Sequence, residues 1–378
     1  MNNSRKNILA LASWYPSRIF LDNGDFIQRH LRSISTLNNV TLVHAVKDEN
    51  LKSNFEMDDS INQNVREIIV YFKPSFFRPF NLIKQFIAFL KGVSLVNNFD
   101  IIHLNVVYPA GLVALFLKSK YKKPIVLTEH WTGFSPELFI SFSFYKKFLI
   151  KKILRKVDLL TPVSNDLAQK ILKIYPITNV KIIPNVVDVE LFSVKEECKV
   201  EKIIFLHLSH LGNEHKNVLG MLNVAKKLVD NGYNFEFQIG GNGDLTLINN
   251  FIAENNLSDF VKSFERLQHF EVNQKMKSAN CFVLFSNYEN QPCVQIEAFA
   301  SGIPVIASDV GGIKEFMPNN FGFIVNKNDE LALYQAMVEV IEGYEFATSN
   351  ELNTYALNNF SMQKIAQQFD EVYVKVLQ

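Results

Sequence analysis

The chain of 378 residues has only three cysteines and no long uninterrupted apolar run. Cys198, Cys281 and Cys293 show neither metal-ligand spacing nor even pairing, so we expect buried free thiols and a reducing compartment instead of a zinc site. No segment approaches the roughly 18 to 20 apolar residues that span a bilayer. The first 17 residues lack the long apolar core and cleavage site of a secretion signal. The sequence therefore predicts a cytoplasmic protein.

Several ligand-binding motifs are also missing. No Asp-x-Asp occurs in a loop that follows a strand, which is where such a pair would hold Mg²⁺ against a diphosphate. Residues 11–25 contain no G-x-G-x-x-G, the fingerprint of a dinucleotide-binding oxidoreductase. We find no RNA- or DNA-binding motif and expect no nucleic-acid partner.

Composition and length indicate a well-packed protein of two domains. Hydrophobic residues make up 48% of the chain and charged residues 20%, and 378 residues exceed one ordinary core. Residues 1–190 carry a net charge of +10 and the remainder −9, which predicts an anionic partner for the front half, phospholipid or a lipid-linked phosphate among the candidates. We predict a first domain over 1–190, a linker over 191–201, a second domain over 202–355 and a terminal helix over 356–378.

Short apolar runs recur between helical patterns, which is typical of an α/β protein with parallel sheets. The strands predicted in the first half are Ile8 to Ser13, Val40 to Val46, Ile68 to Phe72, Asp100 to Leu104, Pro124 to Thr128 and Leu159 to Val163. Those predicted in the second half are Lys202 to Leu208, Phe235 to Ile239, Val261 to Phe264, Cys281 to Phe285, Ile303 to Ala307 and Phe321 to Val325. Ligands are expected at the carboxyl ends of such strands.

The stretch from Asn287 to Glu315 forms one strand–helix–strand unit in this scheme. Pro292 fits the first position of a helix that Gly302 ends. Glu289 stands just before this helix and Glu297 within it, and the free N–H groups of its first turn suit a diphosphate. Two glutamates at this spacing are by themselves more often part of a solvated face, so the context carries the inference.

That context, EAFASGIPVIAS followed by GGIKE, resembles the Glu-x7-Glu signature of retaining, metal-independent glycosyltransferases of family 4. The resemblance implies the GT-B fold, with two Rossmann-like, doubly wound domains facing each other across a cleft. It also implies that Glu289 lies by the donor sugar and that Glu297 holds the ribose of the sugar nucleotide. Asn290-Gln291-Pro292 replaces a small, glycine-containing segment of many members. Asn290 and Gln291 become candidate donor contacts, and the identity of the donor sugar stays open.

Other donor-binding candidates follow from the same resemblance. Lys216 matches a lysine directed at the diphosphate, and its ammonium suits phosphate near a helix amino terminus. Ser209-His210 stands where members usually carry Gly-Arg, and a neutral His210 offers one donor without charge. The loop containing Gly241 lies beside the nucleotide in the family, and Arg266 falls near a base contact.

Two candidates lie in the front half. Gly24 follows the first strand and is either a plain turn residue or, by resemblance, part of a glycine-containing loop at the cleft. His130 is delivered to the end of a predicted strand by the segment Thr128-Glu129-His130, which matches a family segment beside the reaction centre. His103 lies inside a strand and is interpreted as a core residue. The segment PNVVD at 184–188 resembles the one that ends the first domain in the family.

The segment 139–157 contains six basic residues and no acidic one. Interpreted as one helix, it places Tyr145, Phe148 and Leu149 on an apolar side with Ile153, and most lysines elsewhere. Either the helix packs on the core with a solvated basic face, or it docks on an anionic membrane surface. Both interpretations stay open.

The sequence thus predicts a retaining, metal-independent glycosyltransferase without a cofactor. It would move a sugar from a nucleotide-diphosphate sugar to a saccharide or lipid-linked acceptor, in cell-envelope polysaccharide biosynthesis, in the cytoplasm or on the inner face of the plasma membrane. The resemblance also implies that the terminal helix crosses back to the first domain. The alternative is a sugar-nucleotide binding protein of the same fold without turnover.

Overall fold

The computed structural model describes residues 5–194 and 202–378, which form two compact α/β units. The first unit runs up to Val186 and also contains Met362–Gln378, and the second comprises Val187–Ser361. The chain thus enters the second unit at Val187, before the predicted linker begins. Residues 195–201 of that linker, Cys198 among them, lie outside the described residues.

The first unit is built on a sheet of seven strands in the order β3-β4-β2-β1-β5-β6-β7. The strands are β1 (Asn7–Ala12), β2 (Asn39–Lys47), β3 (Phe55–Asn62), β4 (Val65–Phe72), β5 (Ile101–Asn105), β6 (Ile125–Glu129) and β7 (Leu159–Pro162). The helices are α1 (Asp25–Ser35), α2 (Arg78–Val93), α3 (Gly111–Tyr121), α4 (Pro136–Ser141), α5 (Phe144–Leu154), α6 (Asn165–Ile174) and α14 (Met362–Leu377).

The second unit is built on a parallel sheet of six strands in the order β10-β9-β8-β11-β12-β13. The strands are β8 (Ile203–His210), β9 (Phe235–Asn242), β10 (Val261–Phe264), β11 (Cys281–Leu284), β12 (Val305–Ser308) and β13 (Gly322–Val325). The helices are α7 (Asn213–Lys216), α8 (Val218–Asp230), α9 (Thr246–Glu254), α10 (His269–Ser278), α11 (Cys293–Ala300), α12 (Glu330–Ile341) and α13 (Ser349–Phe360).

The interior strands of each sheet are covered on both faces, which explains why they are continuous apolar runs. In β1, Leu9 and Leu11 join one apolar cluster while Ile8 and Ala10 join another on the opposite face. The side chains of β11 also alternate between two apolar clusters on opposite faces, and its Cys281 is fully buried. Burial raises the pKa of the Cys281 thiol to about 12, so it stays protonated.

Neither of the two described cysteines is in a disulfide, as the sequence predicts. Cys281 is also buried as predicted, but Cys293 is only half-buried. The reason is its position at the start of α11, where a helix emerges from a loop.

Strand β3 is absent from the sequence prediction. It is the one antiparallel strand of its sheet and pairs with β4 through a two-residue turn at Gln63 and Asn64, which have φ values of +45° and +66°. Such turns suit the twist of a hairpin. β3 lies at the sheet edge and is largely exposed, so its sequence FEMDDSIN carries no apolar run that would reveal it.

The prediction of one helix over 139–157 is wrong. The segment forms two helices, α4 and α5, separated by Phe142 and Ser143 in extended conformation. Ser143 Oγ accepts the backbone N–H of Lys146 and so caps α5. Within α5, Leu149 and Ile153 are buried as expected, but Tyr145 and Phe148 are 63% and 53% exposed.

The boundary of α11 is shifted by one residue from the prediction. Pro292 has φ −72° and ψ 128° and is the N-cap, so the first helical residue is Cys293. At the other end the helix stops at Ala300, and Gly302 adopts the left-handed φ of +75° expected of a helix stop.

The last helix of the chain, α14, belongs to the first unit and packs on α1. Its Asp370 carboxylate accepts hydrogen bonds of 2.8 Å from Lys6 Nζ and 3.1 Å from Asn38 Nδ2. In the described part of the chain, no helix combines the length and the hydrophobicity that crossing a membrane requires. The cytoplasmic location stays a prediction.

Candidate active site

The candidate donor-binding residues of the second unit lie near the carboxyl ends of the parallel strands of its sheet. β8 is an interior strand, with β9 on one side and β11 on the other. The loops that follow β8 and β11 therefore diverge, which makes this the usual ligand-binding position of a doubly wound sheet. His210 is the last residue of β8, and Lys216 ends the short helix α7. Glu289 lies in the loop between β11 and α11.

The Glu289 carboxylate is held by two side chains. Lys216 Nζ donates to Glu289 Oε1, and the same oxygen accepts a hydrogen bond of 2.8 Å from Ser286 Oγ. The Lys216 and Glu289 side chains are 19% and 10% exposed, so their attraction is screened less than that of a surface pair. An ammonium group has three N–H donors. Lys216 can therefore hold Glu289 and still donate to a second anion.

The Glu289 loop is fixed against the loop that follows β12. The Asn290 carbonyl accepts a hydrogen bond of 2.7 Å from the Gly312 backbone N–H. Gly311 has φ +59°, and a Cβ at this position would overlap the carbonyl oxygen of Glu289. Only glycine permits this close approach, so the GGIKE segment positions the first glutamate through its backbone.

The other candidate residues of this segment are buried polar groups. Asn290 and Gln291 lie before α11, Glu297 lies within it, and all three are at most 6% exposed. Buried polar side chains are stable only when they have partners. One short stretch at the carboxyl ends of the strands thus carries Glu289, Asn290, Gln291 and Glu297.

A cavity of about 450 Å³ also lies on this side of the sheet, at the carboxyl ends of β9 and β10. Gly241 and Arg266, which are 25 residues apart in sequence, line it together with Asp244 and Glu265. Gly241 has φ +134°, and a Cβ there would overlap the Ser209 carbonyl oxygen. The glycine therefore serves the close packing of β9 on β8.

His207 is a buried histidine that the sequence prediction did not single out. Its Nδ1 lies 2.8 Å from the Val283 carbonyl oxygen and its Nε2 lies 2.7 Å from Ser209 Oγ. Burial lowers the pKa of His207 to about 4, so the imidazole is neutral at pH 7. It ties β8 to β11 and orients Ser209, whereas the adjacent His210 is exposed.

In the first unit, His130 follows directly after β6. Its ring lies 4.5 Å from the Phe26 ring and 5.1 Å from the His30 ring, measured between centroids. Burial holds the pKa of His130 well below its usual range, so the side chain is neutral at pH 7. His103, interpreted as a core residue, is indeed fully buried, and its Nε2 lies 2.6 Å from Thr128 Oγ1.

Glu129, the residue before His130, organises this strand end. Its carboxylate accepts backbone N–H groups of Val107, His130 and Trp131 at 2.9, 3.0 and 2.9 Å. Full burial raises the pKa of Glu129 to about 7, although the three hydrogen bonds act to lower it. The carboxyl group thus fixes the backbone that carries His130.

Gly24 is the N-cap of α1, with φ +78°. A Cβ there would lie 2.8 Å from the backbone of Trp14, so packing against the end of β1 is sufficient to explain the glycine. A role in donor binding stays a prediction for this residue, as it does for the other candidates.

Comparisons with known proteins agree with this architecture. A model described as Glycosyl transferases group 1 matches residues 188–358, and a model described as Glycosyltransferase Family 4 matches residues 35–191. Together they match both units.

The chain belongs to the family 4, group 1 glycosyltransferases.

Two curated relatives match this glycosyltransferase over most of its length. An uncharacterised glycosyltransferase of Methanocaldococcus jannaschii is 26% identical, over 89% of this chain and 93% of the relative. The UDP-Gal:alpha-D-GlcNAc-diphosphoundecaprenol alpha-1,3-galactosyltransferase of Escherichia coli is 24% identical, over 86% of this chain and 88% of the relative.

Solved structures identify the fold as GT-B. Sucrose-phosphate synthase from Thermosynechococcus elongatus has a TM-score of 0.80 at 18% identity, with 98% of this chain and 99% of that chain covered. The Anabaena protein HepE, in complex with UDP, has a TM-score of 0.75 at 16% identity, with 98% and 100% covered.

Sequence analysis missed three side chains that organise the sites of this glycosyltransferase. Glu129 is the sequence neighbour of His130, but its hydrogen bonds are made with backbone groups from two loops. His207 acts through a contact between β8 and β11, and Ser286 through a hydrogen bond to Glu289 within one loop. A polar residue within or directly after an apolar strand was the available signal for all three. In residues 5–194 and 202–378, no group of three or more His, Cys, Asp or Glu side chains is arranged to hold a metal ion.

Proposed function

We propose that this glycosyltransferase is a retaining enzyme that transfers a hexosyl group from a nucleotide-diphosphate sugar without a metal ion or cofactor. The main observation that supports this proposal is the Lys216–Glu289 pair, which lies at the carboxyl ends of the strands of the second sheet. It combines a carboxylate for the donor sugar with a cation for the diphosphate in one half-buried contact. The pair supports a leaving group stabilised by an ammonium in place of a divalent ion.

This proposal gives a role to six of the candidate residues. Glu289 orients the donor sugar, Lys216 neutralises the diphosphate with its remaining donors, and Glu297 binds the ribose. His130 approaches the reaction centre as a neutral imidazole, which burial favours. Contacts to the nucleotide come from the cavity that contains Gly241 and Arg266.

A uridine nucleotide is the first donor to test. The Escherichia coli relative is named for a UDP-galactose donor, and HepE was crystallised with UDP. The acceptor we propose is a saccharide or lipid-linked saccharide of polysaccharide or glycolipid biosynthesis, since the same relative is named for a diphosphoundecaprenol-linked acceptor.

We further propose that α4 and α5 contact an anionic membrane surface. Ile140 and Phe144 are 74% and 86% exposed, next to the cations Lys147 and Lys151. Exposed apolar groups beside lysines are typical of peripheral membrane contacts. Lys146 is excluded from this surface because its Nζ lies 3.8 Å from the centre of the Phe142 ring and 4.6 Å from that of Trp131.

The donor site is tested by calorimetric titration with UDP, GDP and ADP and their sugar conjugates, before and after addition of a chelator. We expect one nucleotide to bind at least tenfold tighter than the others, a difference of about 1.4 kcal/mol, with or without chelator. Lys216→Met should weaken its binding by at least about tenfold. Lys226→Met removes an ion-paired lysine from α8 and should leave the affinity unchanged; an equal effect of both variants would contradict the role of Lys216.

Turnover separates an enzyme from a binding protein of the same fold. The purified protein is incubated with the preferred sugar nucleotide and a set of saccharide and lipid-linked acceptors, and the anomeric configuration of the product is determined by NMR. Retention of configuration is the expected result. Inversion would contradict a retaining mechanism, and tight donor binding with neither transfer nor hydrolysis would favour the binding protein.

A further inference from the structure

A groove of about 860 Å³ lies in the first unit on the outer surface of α2, α3 and α5. It is distinct from the strand ends that carry His130 and Glu129, which do not line it. Its volume is in the range of roughly 300 to 1,000 Å³ that is usual for small-molecule sites. Some residues that line it belong to segment 139–157, for which membrane docking is predicted, but no predicted function assigns the groove a small-molecule ligand.

The floor of the groove is apolar. Leu82, Leu112 and Leu115 line it together with the buried Leu149. The rings of Phe86 and Phe116 pack edge to face, 5.9 Å apart between centroids, across the junction of α2 and α3. Ile83 and Phe116 are 54% and 42% exposed. This is a contiguous apolar surface and not a scatter of single exposed side chains.

One end of the groove is basic. Lys122, Lys152, Arg155 and Lys156 line it, and none of the four forms an ion pair with any residue in the described ranges 5–194 and 202–378. Lys118 differs, because its ammonium is bound to the Asp158 carboxylate and to the Lys156 carbonyl. Among the described residues that line the groove, none is acidic.

The two kinds of surface are separated along the helices. Leu112 and Leu115 lie in the first half of α3, and Lys122 follows its end, while Leu149 precedes Lys152 and Arg155 along α5. A helix rises about 1.5 Å per residue, so Leu112 and Lys122 lie roughly 15 Å apart along α3. The groove therefore has room for a dodecyl chain, with cations where its headgroup would lie.

We propose that this groove binds a single alkyl or acyl chain with an anionic headgroup, a long-chain phosphate or carboxylate. Apolar burial provides affinity for the chain, and the four unpaired cations select the charge of the headgroup. The same chemistry occurs in lysophospholipids and in fatty acids, and the two probes below distinguish these sources. The site is independent of the donor site, so its failure leaves nucleotide binding intact.

The test is calorimetric titration of the full chain with monomeric amphiphiles below their micelle concentrations. Dodecyl phosphate and dodecanoate represent the two anionic headgroups, dodecyl maltoside is the neutral control of equal chain length, and inorganic phosphate is the headgroup alone. We expect one anionic amphiphile to bind per chain at least about tenfold tighter than dodecyl maltoside, with no binding of inorganic phosphate. The tighter of the two anionic probes identifies the headgroup.

Two matched pairs of variants localise the site. Lys122→Gln/Lys152→Gln/Arg155→Gln should weaken anionic binding by at least about tenfold. Lys120→Gln/Lys123→Gln/Lys173→Gln changes the net charge of the first unit equally but outside the groove, and should leave anionic binding unchanged. Ser119→Trp should block binding of every alkyl chain by filling the groove, whereas Ser94→Trp, at an exposed serine after α2, should not.

Three results would overturn the proposal: affinity for dodecyl maltoside equal to that for the tighter anionic probe, equal loss in the two charge variants, or binding to anionic vesicles without binding of monomers. The last result would assign the basic surface to membrane docking alone. An unchanged thermal unfolding curve by circular dichroism in all four variants shows that the first unit, which carries the substitutions, is intact.

Discussion

At the scale of single residues, the candidate donor site depends on backbone geometry as much as on charged side chains. Gly311 is the clearest case, since it touches the Glu289 carbonyl and allows the Asn290 carbonyl to bond to Gly312. A side chain at this position would move the loop that carries Glu289.

Gly311→Ala should therefore lower transfer activity by at least about a hundredfold, since a displacement of about 1 Å is sufficient for such a loss. Gly343→Ala is the matched control, because Gly343 also has a positive φ, +90°, but no atom lies within 4 Å of the place that its Cβ would take. It should reduce stability slightly and leave kcat unchanged. Comparable activity of the two variants would show that the contact is dispensable.

The buried histidines of the first unit allow a prediction of how its stability changes as the pH falls. Burial lowers the pKa of His30 and His44 to about 4 and that of His103 to about 3, and the pKa of His130 is also lowered. Between pH 6.5 and 4 the unfolded chain binds protons that the folded unit does not, so stability present above pH 6.5 is lost as the pH falls. Glu129, with a pKa raised to about 7, acts in the opposite direction between pH 4.5 and 7.

Because four imidazoles oppose one carboxyl group, we expect the first unit to melt roughly 10 °C lower at pH 5 than at pH 7. Both tryptophans, Trp14 and Trp131, lie in this unit, so tryptophan fluorescence follows its unfolding. His44→Asn, which keeps a donor toward the Ala12 carbonyl, should reduce the pH effect by roughly a third, because one of about three net groups is lost. His269→Asn, at an exposed position, should not, and an unchanged slope in His44→Asn would contradict the assignment.

At the scale of helices and strands, sequence prediction succeeded for strands that are buried on both faces of the sheet. The strands β1, β5, β6 and β11 were found within one or two residues because both of their faces are covered by helices. The edge strand β3 and the break between α4 and α5 were missed. Both depend on pairing and capping contacts, to which a hydrophobic pattern is insensitive.

The two-helix structure of 139–157 sharpens the membrane prediction. Lys147→Gln/Lys151→Gln should reduce sedimentation with anionic vesicles by roughly thirtyfold, at about 1 kcal/mol for each lysine near the surface. Lys226→Gln/Lys227→Gln removes the same charge from α8 in the second unit and should have no effect. Equal sedimentation of the two variants would leave α5 as a core-packed helix with a solvated basic face.

At the scale of the whole molecule, the chain returns to its first unit through α14. Tyr373 Oη lies 2.7 Å from His103 Nδ1, His103 Nε2 lies 2.6 Å from Thr128 Oγ1, and Thr128 Oγ1 lies 2.7 Å from Thr161 Oγ1. This buried chain of hydrogen bonds joins the last helix to β5, β6 and β7. It links residues 270 positions apart in sequence.

Tyr373→Phe should leave His103 Nδ1 without its partner, at a cost of about 1 to 3 kcal/mol. The tryptophan-detected melting temperature should then fall by roughly 3 to 10 °C. Tyr344→Phe, at a tyrosine that is 45% exposed in the second unit, is the control. A normal melting temperature in Tyr373→Phe would show that the hydrogen bond to His103 is not needed to hold α14.

The sequence by itself determined the fold family, the two-unit organisation and the segments that carry the candidate residues. It did so because buried strands, glycine stops and the spacing of Glu289 and Glu297 are local patterns. Only the tertiary structure decided that Lys216 binds Glu289, that Gly241 and Arg266 line one cavity, that Glu129 holds three backbone N–H groups and that an apolar groove with a basic end crosses α3. Each of these contacts joins side chains or loops from different strands and helices, so they arise only when the chain has packed.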